Sequence, residues 1–272
     1  MKSRLHKAVL CAAAALTAMT LNAAPPQFQR AQPSDSIQVM FVGNSYTMRN
    51  NLPELLRRIA GSLDVKIAPS RGLKGGQSFK GHWNTDTLRA MLADGGFNYV
   101  VLQEASYRPS YSTRYVIKNV YPYAHKLDSL AHAGSPDAKV IYYMTWGHRD
   151  GLVHHKTDYP LDDTYPMMQQ RLKTSYLEMA HDNHGLCAPV GMAWERVRTE
   201  RPEIDLYVAD HHHPSLAGSY LAANVILTTI LNRPYTSQFY GGLPAETAEY
   251  LQRVAQETVL ANRTLIGLPE PE

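Results

Sequence analysis

Apolar runs of strand length alternate with segments of helical period along most of this chain, and that alternation limits the folds open to it. Strands are predicted at 37–42, 65–68, 99–102, 139–145 and 186–190. Between and after them, helical periodicity marks 52–63, 86–93, 113–133 with a kink at Pro122, 164–184, 193–199 and 245–262. Asn51 can cap the first helix, with Pro53 allowed in its first turn. Ser215 can cap a helix that runs to Leu231. Strands separated by helices call for an α/β fold, a mostly parallel sheet with helices on both faces. Ligands of such sheets bind beyond the carboxyl ends of the strands. Ser45, Gln103, Trp146 and Gly191 all fall just after predicted strands, so they are expected to share one edge.

The first residues read as an address. Lys2, Arg4 and Lys7 precede an uncharged apolar stretch, 8–21, and Asn22-Ala23-Ala24 offers small residues for cleavage. The stretch is short for a membrane span, so 1–24 is predicted to be a signal peptide, giving an exported, periplasmic or secreted protein with no membrane attachment after cleavage. Residues 25–36, with three prolines, form a lead-in, and 37–272 a single domain. Removing the three basic residues of the signal brings the formal charge from +3 to neutral. A balanced chain lacks the basic excess that neutralises phosphates, which argues against a nucleic-acid partner. Only Cys187 survives cleavage, so no intramolecular disulfide forms.

Two short motifs carry the chemistry. Gly43-Asn44-Ser45-Tyr46-Thr47 follows the first strand, and Asp210-His211-His212-His213-Pro214 precedes the helix capped by Ser215. A serine hydroxyl is a weak nucleophile until a base takes its proton. A spacing of three between Asp210 and His213 lets the carboxylate hold the imidazole tautomer while the other ring nitrogen faces a serine. A catalytic triad of Ser45, His213 and Asp210 is therefore expected.

These two motifs, with Ser215-Leu216-Ala217-Gly218-Ser219-Tyr220-Leu221 after the second, resemble the nucleophile and last blocks of the SGNH (GDSL-type) hydrolases. Asn44 stands where the family usually has aspartate. The resemblance covers about residues 37–231. It implies a three-layer α/β/α sandwich, flavodoxin-like, around a parallel sheet of about five strands. It also implies esterase chemistry without a cofactor, often on acylated carbohydrates. The family's oxyanion donors are the serine N–H, a glycine N–H after the second strand and the asparagine of a Gly-x-Asn-Asp motif after the third. Here that motif is absent, and Leu102-Gln103-Glu104-Ala105-Ser106 occupies its place. The expected oxyanion set is Ser45, Gly76 (with Gly75 as the alternative) and Gln103, with the amide of Gln103 standing in for the asparagine.

Glu104, Trp83, Tyr107 and Trp146 are the expected substrate-binding residues, the aromatics as stacking platforms. His82 is expected near the mouth. Three consecutive histidines invite a metal reading, with His148, His154 and His155 in another loop. Successive side chains diverge, however, and zinc sites usually collect spaced ligands, so no metal is expected. The leading expectation is an exported serine esterase acting on a small-molecule or glycan ester. The alternative is a carbohydrate-binding protein that kept this fold and lost activity, motivated by the missing motif.

Overall fold

The computed structural model describes residues 35–152 and 164–270. The predicted signal, nearly all of the lead-in, His154 and His155 lie outside the described residues. Five strands form one sheet: β1 (Ile37–Gly43), β2 (Ile67–Leu73), β3 (Tyr99–Leu102), β4 (Lys139–Tyr143) and β5 (Leu186–Ala188). Their order is β2-β1-β3-β4-β5 and every pairing is parallel. The predicted α/β class and sheet are borne out.

The chain leaves β1 toward β2 on one side and returns to β3 on the other. Parallel crossovers are right-handed, so this reversal puts helices on both faces and opens a crevice above β1 and β3. Between β1 and β2 lie α1 (Ser45–Met48) and α2 (Leu52–Gly61); α3 (Phe79–Trp83) and α4 (Asp86–Asp94) lead to β3. Then come α5 (Thr113–Asn119) and α6 (Tyr121–Gly134) before β4, α7 (Tyr165–Asp182) before β5, and α8 (Val190–Glu200), α9 (Leu216–Leu231) and α10 (Ala245–Leu260) after it. Helix α9 packs on α2 and α10, while α6 packs on α3, α4 and α7. Nearly every residue of α9 is buried, because it lies between α2, α8 and α10 rather than at a surface. Among the described residues no helix is long and apolar enough to cross a membrane.

Where prediction and structure differ, the cause is local. β2 begins later and runs further than its apolar signal, through Pro69-Ser70-Arg71. It is an edge strand paired only with β1, so polar side chains and a proline are tolerated there. The single helix expected at 113–133 is two, divided at Val120, with Pro122 in the first turn of α6. Asn51 precedes α2 in a left-handed conformation and makes no side-chain cap; its Oδ1 instead accepts from Arg71 Nη2 at 2.9 Å.

Candidate active site

The nucleophile motif turns where β1 ends. Asn44 is extended, and its Oδ1 accepts the Tyr46 N–H at 3.1 Å, capping α1 so that Ser45 becomes the first helical residue. The N–H groups of a first helical turn have no acceptor within the helix. Gly43 is obligatory for space: a Cβ there would stand 2.7 Å from both Gln103 Oε1 and Thr47 Oγ1.

The histidine motif lies in the loop between α8 and α9. An antiparallel bridge joins Tyr207 to Pro214, and Val208 N–H donates to His213 O at 3.0 Å. The hairpin closes on His211, whose φ of 65° is left-handed. Ser215 Oγ accepts the Gly218 N–H and starts α9 as predicted. Asn50, also left-handed, donates from Nδ2 to Ser215 O at 2.9 Å and to Ser219 Oγ at 2.8 Å. It ties the segment after α1 to the start of α9.

The structure brings Ser45, His213 and Asp210 together. His213 Nε2 lies 2.8 Å from Ser45 Oγ, and His213 Nδ1 lies 2.7 Å from Asp210 Oδ2. A carboxylate only accepts, so Nδ1 carries the proton and Nε2 is left to accept from the serine hydroxyl. Asp210 Oδ1 also accepts the backbone N–H of His212 at 3.0 Å and of His213 at 2.9 Å. Partial burial raises the Asp210 pKa, but these N–H donors and the His213 ring together hold it well below the usual carboxylate range.

An aromatic stack sets the distance between the two motifs. Trp146, in the loop after β4, lies between Tyr46 (centroids 4.6 Å apart, planes 8° apart) and Trp194 of α8 (3.8 Å, 2°). Its Nε1–H donates to His212 O at 3.1 Å. Trp146 was expected to be a stacking platform for substrate. It is instead fully buried, a core side chain holding the histidine loop against the serine helix. Neither Tyr46 nor Trp194 was anticipated, since their neighbours become neighbours only in the fold.

Three further expectations are corrected. Gln103 is fully buried behind the turn. Its Oε1 accepts the Asn44 N–H at 3.0 Å and the Thr47 hydroxyl at 2.9 Å, and its Nε2 donates to Glu104 O. Fully buried and bonded to the turn through Oε1, it supports the nucleophile from behind rather than facing an oxyanion. Glu104 is equally buried and does not meet substrate; its carboxylate accepts the N–H of Phe79 at 3.0 Å and of Ala105 at 2.5 Å. Burial pushes its pKa up to about 7, although those two N–H groups and Arg108 act in the opposite sense. Trp83, half-buried, lies against Lys126 and Arg89, 5.3 and 5.7 Å from its ring, and makes its contacts away from the triad.

His82 is buried beneath the turn, not at the mouth. Its Nε2 lies 2.9 Å from Gly43 O, so that nitrogen bears the proton, and burial first of all lowers its pKa to about 4. Tyr107 is half-buried, 6.5 Å from the His148 ring, which lies 5.1 Å from His212. Trp146 comes nearer the triad but is fully buried; Tyr107 is the half-buried one of the expected aromatics that lies toward the histidine loop. Gly76 sits exposed at φ 66° in a turn closed by Gln77 N–H to Lys74 O at 3.1 Å. That turn is pinned to the nucleophile by Lys74 N–H to Gly43 O at 3.1 Å and by Asn44 Nδ2 to Gln77 O at 3.0 Å.

The divergence expected of the histidines holds for His211, which turns to Asp150 at 2.7 Å. It fails for His212 and His213, whose rings are 4.1 Å apart. Among the described residues, Asp210, His212 and His213 could converge on a metal ion. Both ring nitrogens of His213 are, however, already engaged by Asp210 and Ser45. A cavity of about 870 Å³ along α10, lined by Arg201, Tyr235 and Tyr250 among others, shares no residue with the triad.

No family model and no curated protein matches the chain. Solved structures do. A candidate SGNH hydrolase from Slackia heliotrinireducens is 28% identical, with a TM-score of 0.59, over 72% of this chain and 99% of its own. A DUF4886 family protein from Bacteroides uniformis is 17% identical, with a TM-score of 0.67, over 83% and 95%. The lipase/acylhydrolase from Enterococcus faecalis is 13% identical, with a TM-score of 0.51, over 74% and 100%. The resemblance read from the two motifs is borne out: this chain has the SGNH-hydrolase fold.

Glu104 yields a measurable pH effect. A carboxyl whose folded pKa lies near 7, against an ordinary 4.5, contributes stability that is complete below pH 4.5 and lost as pH rises through 7. The stability difference between the wild type and Glu104→Gln, from urea unfolding, is expected to shift by up to about 3 kcal/mol in the variant's favour over that interval. A difference that stays constant with pH would show that Glu104 does not titrate there.

Proposed function

We propose that this protein is an exported serine esterase that removes an acetyl or other small acyl group from a carbohydrate. One observation carries the chemistry: His213 Nε2 within 2.8 Å of Ser45 Oγ, with Asp210 at 2.7 Å on the other ring nitrogen. Likeness to a candidate SGNH hydrolase supports it, and the predicted signal peptide supports export. The choice of carbohydrate draws on export and on Tyr107, a half-buried aromatic side chain near the histidine loop and suited to a sugar ring.

Ser45 Oγ adds to the ester carbonyl carbon while its proton passes to His213 Nε2. Asp210, hydrogen-bonded to Nδ1, stabilises the imidazolium so formed. The tetrahedral intermediate collapses as the carbon–oxygen bond to the alcohol breaks and Nε2–H protonates that oxygen. Water then gives a proton to Nε2 and attacks the acyl-Ser45 ester; as that intermediate collapses, the bond to Ser45 Oγ breaks and Nε2–H protonates the oxygen, releasing the acid and restoring the serine. The negative oxygen of each intermediate falls to the N–H of Ser45 and, in this reading, that of Gly76. Tyr107 is the aromatic side chain that would meet the alcohol part of the substrate. No cofactor enters any step.

The inactive binding-protein reading draws on one fact, that Gln103 is fully buried with its amide turned to Glu104 O, which leaves the oxyanion one donor fewer. Such a donor is worth a few kcal/mol of transition-state stabilisation. Hydrolysis of p-nitrophenyl acetate by the mature protein separates the two. Ser45→Ala and His213→Ala are each expected to lower kcat by roughly 10³-fold or more. A wild type that neither turns over this ester nor labels with a fluorophosphonate would favour the binding protein. Undiminished turnover in Ser45→Ala would end the triad mechanism.

Trp146→Phe retains an aromatic ring between Tyr46 and Trp194 and deletes the N–H that reaches His212 O. If that bond positions His213, kcat falls about tenfold with little change in KM. An unchanged kcat would limit the indole to packing.

A further inference from the structure

Arg49 follows α1, Arg71 lies near the end of β2 and Lys74 follows β2; residues 43–53 and 68–85 contain no Asp or Glu, and Glu54, an acid close to Arg71, pairs with Arg57. The fold draws these cations around the nucleophile. Gly43 pairs with Leu73, so Lys74 follows β2 beside the serine turn. Arg71 is held by the neutral Oδ1 of Asn51. Arg49, one residue beyond α1, places its guanidinium 4.0 Å from Asp210 Oδ2 with 44% of the side chain exposed.

The ionised Asp210 offsets part of the Arg49 charge, but at 4.0 Å the contact is too long for a hydrogen bond, and the Asp210 oxygens accept instead from the His212 and His213 N–H groups and the His213 ring. The neighbouring acids are engaged as well, Asp150 with His211 and Asp205 with Arg149. The Arg49 guanidinium therefore faces solvent beside the triad with donors to spare. Its planar fork suits a carboxylate or sulfate group.

Its position also says which half of an ester it would meet. His213 returns a proton to the departing alcohol, so the alcohol lies toward the histidine side of Ser45, and Arg49 stands beside Asp210, the carboxylate that holds that same ring. We propose that the ester recognised here carries an anionic group, carboxylate or sulfate, on its alcohol half, bound by Arg49 and drawn in by the field of Arg71 and Lys74. An acylated acidic sugar has this chemistry. The proposal rests on the esterase reading of the same site.

The test compares 4-acetoxybenzoate and 4-acetoxybenzenesulfonate with neutral methyl 4-acetoxybenzoate, each rate normalised to hydroxide-catalysed hydrolysis. At low ionic strength kcat/KM is expected to favour at least one anion by about tenfold, and salt should erase the preference. The preferred anion identifies the group. Arg49→Gln should remove most of the preference, and Lys74→Gln part of it. Equal rates for the three esters, or a preference untouched by Arg49→Gln, would overturn the proposal.

If no ester is hydrolysed, the esterase reading fails, and calorimetry decides this one separately. Oligogalacturonate should then bind Ser45→Ala more tightly than a neutral xylo-oligosaccharide does, and Arg49→Gln in that background should weaken it severalfold. Absent or equal binding would overturn the anionic site on its own.

Discussion

The stack of Tyr46, Trp146 and Trp194 is the contact on which the candidate site depends. Ser45 and His213 are 168 residues apart, and no strand pairing joins the segments that carry them. Tyr46 is the residue after the serine, and the carbonyl that Trp146 holds belongs to the residue before the histidine. One buried indole thus touches both halves of the site within one bond of each catalytic candidate. Trp194 closes the stack from α8, so two loop motifs inherit the rigidity of the core. Each of these rings is at most 1% exposed, which makes the arrangement part of folding itself.

Beneath the turn, polar groups do a similar service by a different route. Gln103 and His82 both bond the backbone of residues 43 and 44, one accepting and one donating. A buried backbone group without a partner would cost free energy, so Gln103 stabilises the turn at Asn44, just past the ladder, and His82 adds a second donor to the Gly43 carbonyl that Lys74 N–H already meets. Gln103 occupies the position of a family oxyanion donor but acts from behind the nucleophile. The burial that keeps His82 neutral also raises the pKa of Glu104. Gln103 and His82 reach the turn itself, and Glu104 holds the starts of α3 and of the segment after β3 through the Phe79 and Ala105 N–H groups. The region is a polar support, and its groups have no path to substrate.

The sequence made the fold legible because the sheet is interior. β1, β3 and β4 are apolar runs with almost no exposure, which is the pattern a covered parallel strand must have. β2 was placed poorly because an edge strand needs no such run. Ser45, Asp210 and His213 were legible from motif and spacing, and the structure brings them together. The errors have a common origin. Trp146 and Gln103 were expected at the sheet edge that holds the site, and Glu104 among the substrate-binding residues, but position along a chain does not reveal which way a side chain turns. A tryptophan after a strand can face solvent or the space between two loops. Only the packing of α8 and the histidine hairpin decides it for Trp146.

That division bears on what the fold can specify. The groups that set geometry, Tyr46, Trp146, Trp194, Gln103 and Glu104, are buried and make their bonds within the protein. The groups that would touch substrate, Arg49, Lys74, Tyr107 and the edge of His213, belong to turns whose backbones are pinned elsewhere. Substitution at the rim can then change the ligand while leaving the triad in place, as expected when one scaffold serves many chemistries. Asp210 marks where the two layers meet. Its oxygens accept three N–H groups of the histidine loop, while the Arg49 guanidinium stands 4.0 Å away, beyond hydrogen-bond length, with its own donors open to whatever enters from solvent. The same three bonds hold the histidine tautomer, so one carboxylate orients the base and leaves an arginine at the rim.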